Sequence, residues 1–143
     1  MWNEVGFRKW IKRAQTDKLL IIIMRGSVIN FLVSQFLPEI TIANQICYHY
    51  QQFAEKYLKA YLDARGQDAD EHQTLRHHNL SELKKYCADF DPLFLKLDEN
   101  DLVFLTKCET YRYNDDCRKD QIKKAREIVN IIKKLVIKAS EPH

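Results

Sequence analysis

The segment Thr110-Tyr111-Arg112-Tyr113-Asn114-Asp115 sets a guanidinium between two aromatic planes, with a carboxylate three residues on. An arginine fork holds a phosphate through paired hydrogen bonds, and a tyrosine ring offers a face on which a base stacks. An equally good reading has Tyr111 filling the core at a helix end, while Arg112 pairs with Asp115 or Asp116 in a surface turn. A second constellation, His49, Gln52, Glu55, Lys56 and Lys59, recurs at three- and four-residue steps and therefore shares one helix face. Within it Glu55 and Lys59 form a favourable i,i+4 pair, and plain helix support on a solvated face accounts for most of the set.

Other reactive residue types are less suggestive. His77 and His78 precede a helix, where an imidazole caps or hydrogen-bonds backbone, and no metal-ligating partners stand nearby. The sequence shows no Ser-His-Asp order, glycine-rich phosphate loop or paired-carboxylate signature, so neither a cofactor nor a metal is expected. Cysteines occur at 47, 87, 108 and 117 without a CxxC pair, for which a reducing cytosol is the simplest setting. Cys108 and Cys117 are assigned no chemistry.

The elements that must position these groups read as helices. With only three glycines and three prolines in 143 residues, a turn-rich sandwich or barrel is hard to build, and an all-α, up-and-down bundle of four to five main helices is predicted as a single domain over 1–143. Val5, Trp10, Ile11, Ala14 and Ile21 mark an inner stripe on a first helix over 5–24. Gly26 ends it, and in the connection at 25–40 an apolar segment from Val28 to Leu37 closes at Pro38, either as a short connecting helix that Ser27 caps or as an apolar flap. The strongest periodicity runs from Ile42 to Arg65, with Thr41 as its cap and Gly66 after its end. An exposed loop over 67–77 follows, then a helix over Leu80 to Phe90. Asp91-Pro92 supplies the cap and first-turn proline of the next helix, which the DEND stretch at 98–101 divides, and a last helix runs from Ile122 to Val136.

Composition excludes several classes. The hydrophobic share of 45% and charged share of 30% are those of a folded globular chain, and a net charge of +3 gives only weak steering toward polyanions. The longest apolar run, Leu19 to Met24, falls far short of the about 20 residues a bilayer span needs, and the charged N-terminus lacks a signal-peptide pattern. A cytoplasmic protein without membrane association is therefore expected.

The stretch from Cys47 to Gly66, CYHYQQFAEKYLKAYLDARG, resembles the first signature of the HEPN family, an aromatic-His-x-Gln-Gln-x-x-Glu-Lys-x-Leu-Lys-Ala run closing on Arg-Gly. The likeness is carried by Tyr48, His49, Gln51, Gln52, Glu55, Lys56, Leu58, Lys59, Ala60, Arg65 and Gly66. His78-Asn79-Leu80 with Leu83, and then Thr110 to Asp115, are similar to two later landmarks in the family's order, while Trp10, Ala14 and Asp17 fit its first helix more loosely.

The resemblance implies a helical domain associated with nucleotides or RNA, often partnered with a small nucleotidyltransferase in a toxin and antitoxin pair. It also implies that the His49 to Lys59 face contributes to a dimer groove, and a homodimer is expected in which apolar residues of the central or last helix continue into the partner. Members that cut RNA carry an arginine followed, after four to six residues, by a histidine. Here the eligible positions after Arg112 are Cys117, Arg118 and Lys119, and none can shuttle a proton near neutral pH as histidine does. Arg65 and His72 have the bare spacing but stand after the central helix instead of ahead of the last one. The expectation is a noncatalytic binding and interaction domain. Its rivals are a divergent metal-independent ribonuclease using Arg112 with Tyr111 or Tyr113, and a purely structural dimeric interaction module.

Overall fold

The structure, a computed structural model, describes residues 2–26, 39–67, 78–110 and 119–141, with the side chains of 39–41 and 119 excepted. Among the described residues it is an all-α helical bundle of five α-helices with no strand: α1 (Glu4–Arg25), α2 (Glu39–Ala64), α3 (Leu80–Phe90), α4 (Glu99–Lys107) and α5 (Lys119–Ala139). Most of the connection at 25–40, the loop at 67–77, and Tyr111, Arg112, Tyr113 and Asp115 lie outside the described residues. No helix among them is long and apolar enough to cross a membrane.

The central helix α2 packs most extensively against α1, then against α5 and α3. Its apolar face supplies Ile46, Tyr50, Phe53, Tyr57, Leu58, Tyr61 and Leu62 to one continuous core. Leu80 and Leu83 of α3, Leu102 and Leu105 of α4, and Ile132 and Val136 of α5 close that core, each with no exposed surface. Tyr61 meets Phe94 at a centroid distance of 4.7 Å, which ties the central helix to the short 3-10 segment Pro92–Lys96. Aromatic pairs at this spacing add about 1 kcal/mol beyond the area they bury.

The helix ends obey local chemistry. Gly66 adopts φ +96°, its N–H donates to Asp63 O and that of Gln67 to Leu62 O, a Schellman closure that only glycine enters without strain. Asn79 caps α3 by accepting from the N–H groups of Ser81 and Glu82. Asp91 accepts from Leu93 N ahead of Pro92, but the turn it caps is 3-10, and Asp98 opens α4 by accepting from Asp101 N, so DEND is indeed the dividing point. Two boundaries differ from expectation. α2 begins at Glu39, an acidic residue suited to a helix N-terminus, so Thr41 lies inside the helix instead of capping it. α5 begins at Lys119.

On α1 the inner stripe is Gly6, Trp10, Ala14, Asp17 and Ile21, while Val5 is 80% exposed. Close approach decides this. A Cβ at position 6 would stand 2.5 Å from Asp63 Oδ1, so only glycine allows α1 to lie this near α2. Cys87 and Cys108 are free, buried thiols, and Cys87 donates weakly to Leu58 O. Burial pushes the Cys87 thiol well up and that of Cys108 up to about 12. Cys47 is disulfide-bonded, which departs from a set of cysteines held reduced.

Candidate functional site

Where α1 crosses α2, three carboxylates are taken out of water: Asp17, Glu55 and Asp63, each no more than 5% exposed. Charges placed this deep survive only when paired and hydrogen-bonded. Asp17 accepts from His49 Nδ1 at 2.7 Å through one oxygen and from Lys56 Nζ through the other. Glu55 Oε1 accepts from Lys59 Nζ at 2.6 Å and from His78 Nδ1 at 2.9 Å. Its second oxygen takes the amides of Gln51 and Gln52 at 3.0 and 3.3 Å. Asp63 accepts from Trp10 Nε1 at 2.8 Å and pairs with Lys9 Nζ at 3.3 Å. An ionised carboxylate is acceptor-only, so both histidine Nδ1 atoms carry the proton in these contacts.

The five residues singled out on α2 by their spacing are therefore gathered in one place, but not on a solvated face. Glu55 and Lys59 are buried, and His49, Gln52 and Lys56 are half-buried. Gln52 reaches its neighbour instead of solvent, donating to Gln51 Oε1 at 2.7 Å. Trp10 adds a flat apolar wall, with the Lys59 ammonium 5.6 Å and the Arg13 guanidinium 4.8 Å from its ring centroid. Chemically the seam is a stapled contact between two helices. His49 leans on Asp17 as a hydrolase imidazole does, yet the same carboxylate is shared with Lys56.

A different arrangement occupies the junction of α1, α2 and α5, where a cavity of about 490 Å3 opens to solvent. α1 lines it with Lys18, Ile21, Ile22 and Arg25. α5 lines it with Arg126, Val129, Asn130 and Lys133, the same i, i+3, i+4, i+7 spacing with a cation at either end. Buried Tyr50 and Phe53 of α2 form the floor with Ile21 and Val129. Among the described residues no carboxylate lines it. Arg25 Nη1 donates to Tyr50 OH at 3.2 Å, whereas Lys18, Arg126 and Lys133 pair with no carboxylate among the described residues. Sequence reasoning passed over these cations because more than half the chain separates the two rows. The only available signal was the matching cation, aliphatic, cation pattern on each helix.

Among the described residues no group of three or more His, Cys, Asp or Glu side chains could hold a metal ion. No curated protein matches the chain, and no solved structure does either. Residues 35–138 match the family model for the HEPN domain, from before the α2 signature to the end of α5 and well over half of the sequence, and the chain belongs to that family.

Proposed function

We propose that this chain is a noncatalytic HEPN domain that binds nucleotides or RNA and serves as an interaction partner, in the manner of a toxin and antitoxin pair with a small nucleotidyltransferase. Family membership supports a nucleotide- or RNA-related role. The observation that carries the noncatalytic reading is the partition of charge. On the signature helix, Glu55, Lys56, Lys59 and Asp63 are all consumed by internal pairs, and the described imidazoles, His49 and His78, both lean on carboxylates of the same seam. Lys18, Arg25, Arg126 and Lys133 line the cavity instead, with no salt bridge to a carboxylate among the described residues. Added to this, no histidine follows Arg112 at the spacing that RNA-cutting members use.

An RNA cleavage assay with purified protein tests the reading. Single-stranded RNA remains intact in its presence; cleavage by wild type that Arg112→Ala abolishes would establish the ribonuclease alternative. The homodimer belongs to the same proposal. Ile131 and Ile137 on α5 are about half exposed, and a partner copy offers them burial. Light scattering then reads twice the 17.1 kDa of one chain, and a monomer mass at micromolar concentration contradicts it. The nucleotidyltransferase is tested by co-expression with one encoded beside this chain: co-elution is expected, and separate elution removes that part.

A further inference from the structure

We infer that the cavity between α1, α2 and α5 is a binding site for a nucleoside phosphate, held by its phosphates between the two cation rows and by its base against the floor. The inference rests on the nucleotide- or RNA-binding reading above and adds to it a place and a ligand chemistry. A volume of about 490 Å3 falls within the range of about 300 to 1,000 Å3 typical of small-molecule sites.

Its walls divide by chemistry. Lys18 and Arg25 on one side face Arg126 and Lys133 on the other, and among the described residues no lining carboxylate compensates this positive charge. Uncompensated cations around a concavity repel one another, and an anion with several charges relieves that repulsion. Arginine forks grip phosphate oxygens bidentately, while lysine contributes a point charge. α5 as a whole carries seven basic and two acidic residues, and two of the seven, Arg126 and Lys133, stand on the cavity wall.

A bare phosphate accounts for the rim but not for the floor. Tyr50 and Phe53 are buried, and with Ile21 and Val129 they present an apolar, partly aromatic surface below the cations. A base has flat faces suited to such a surface, and its attached phosphates reach outward to the rim. Tyr50 is also fixed in place, since its hydroxyl accepts from Arg25. A free nucleotide and the phosphorylated end of an RNA strand share this chemistry.

Calorimetric titration of the full chain with ATP, inorganic triphosphate and a short 5′-phosphorylated oligoribonucleotide separates the outcomes. Three variants accompany it, each at an exposed position so that folding is retained, as checked by circular dichroism: Arg126→Glu, Ile22→Trp and, as control away from the cavity, Lys134→Glu. Binding of ATP, of the oligonucleotide, or of both is expected, about ten-fold or more weaker with Arg126→Glu and with the cavity-filling Ile22→Trp, and nearly unchanged with Lys134→Glu. Which of the two binds identifies the source of the phosphate. Equal affinity for inorganic triphosphate overturns the nucleoside assignment. Binding that ignores both cavity variants overturns the site but leaves the proposed function standing. No binding of any nucleotide or oligonucleotide overturns both.

Discussion

Replacing Asp17 by alanine removes one carboxylate and strands two donors. Asp17 is 3% exposed, and its oxygens are the acceptors for His49 Nδ1 and Lys56 Nζ. Breaking a buried ion pair by deleting one member costs about 3–5 kcal/mol, because the remaining charge keeps its desolvation penalty. Here the stranded groups are not wholly enclosed, with side-chain exposures of 17% for His49 and 23% for Lys56, so water takes over part of the lost acceptor. The expected loss falls to about 2–3 kcal/mol. For a chain of this size that lowers the melting temperature by roughly 6–12 °C. Urea and thermal unfolding followed by far-UV circular dichroism measure it, with the denaturant slope unchanged if only the native state is affected. The double variant Asp17→Ala with Lys56→Met recovers part of the loss, since no ammonium is then left without its counter-charge. A loss below about 0.5 kcal/mol, within the range of ordinary surface changes, would refute the claim that this seam holds α1 against α2.

Gly6→Ala forces a Cβ to within 2.5 Å of Asp63 Oδ1, a carboxylate already fixed by Trp10 and Lys9, and lowers stability by about 1–3 kcal/mol in the same unfolding assay. Gly66→Ala meets no neighbouring atom, so its cost is confined to the backbone at φ +96° and amounts to about 1–2 kcal/mol. The Cys108 thiol, raised by burial from 9.0 to about 12, resists alkylation by a thiol reagent at mildly alkaline pH until the chain is unfolded. Because its folded value lies above the unfolded one, Cys108 also makes stability fall as pH rises from about 9 toward 12, and a urea midpoint that falls less steeply across that window with Cys108→Ala than in wild type, the remaining slope coming from Cys87, Tyr57 and Tyr61, checks the assignment.

Much of the fold was legible because it is written in short-range signals. The α2 stripe, the glycine after its end, Asp91 as a capping side chain and the break at DEND before α4 each follow from spacing or from a side chain a few residues from its target. The inner face of α1 was harder to read. Its buried stripe contains Gly6 and Asp17, which apolar periodicity passes over, and the reason they are buried lies on α2 at Asp63, His49 and Lys56. For the same reason the polar face of α2 looked solvated: Glu55 and Lys59 read as a helix-surface pair until α1, His78 and Trp10 cover them. The cavity depends on which helices become neighbours, and no local pattern in Lys18 to Arg25 or in Arg126 to Lys133 says that the two rows face one another.

Binding of nucleotide or RNA without cleavage is the role proposed for this HEPN domain. Incubating the purified chain with labelled, 5′-phosphorylated single-stranded RNA, then separating bound from free and full-length from cleaved in the same sample, tests it most directly. A saturable bound fraction in which the RNA is still full length is the expected result. Cleaved RNA contradicts that role, and so does the absence of any bound fraction from a chain that does not bind ATP either.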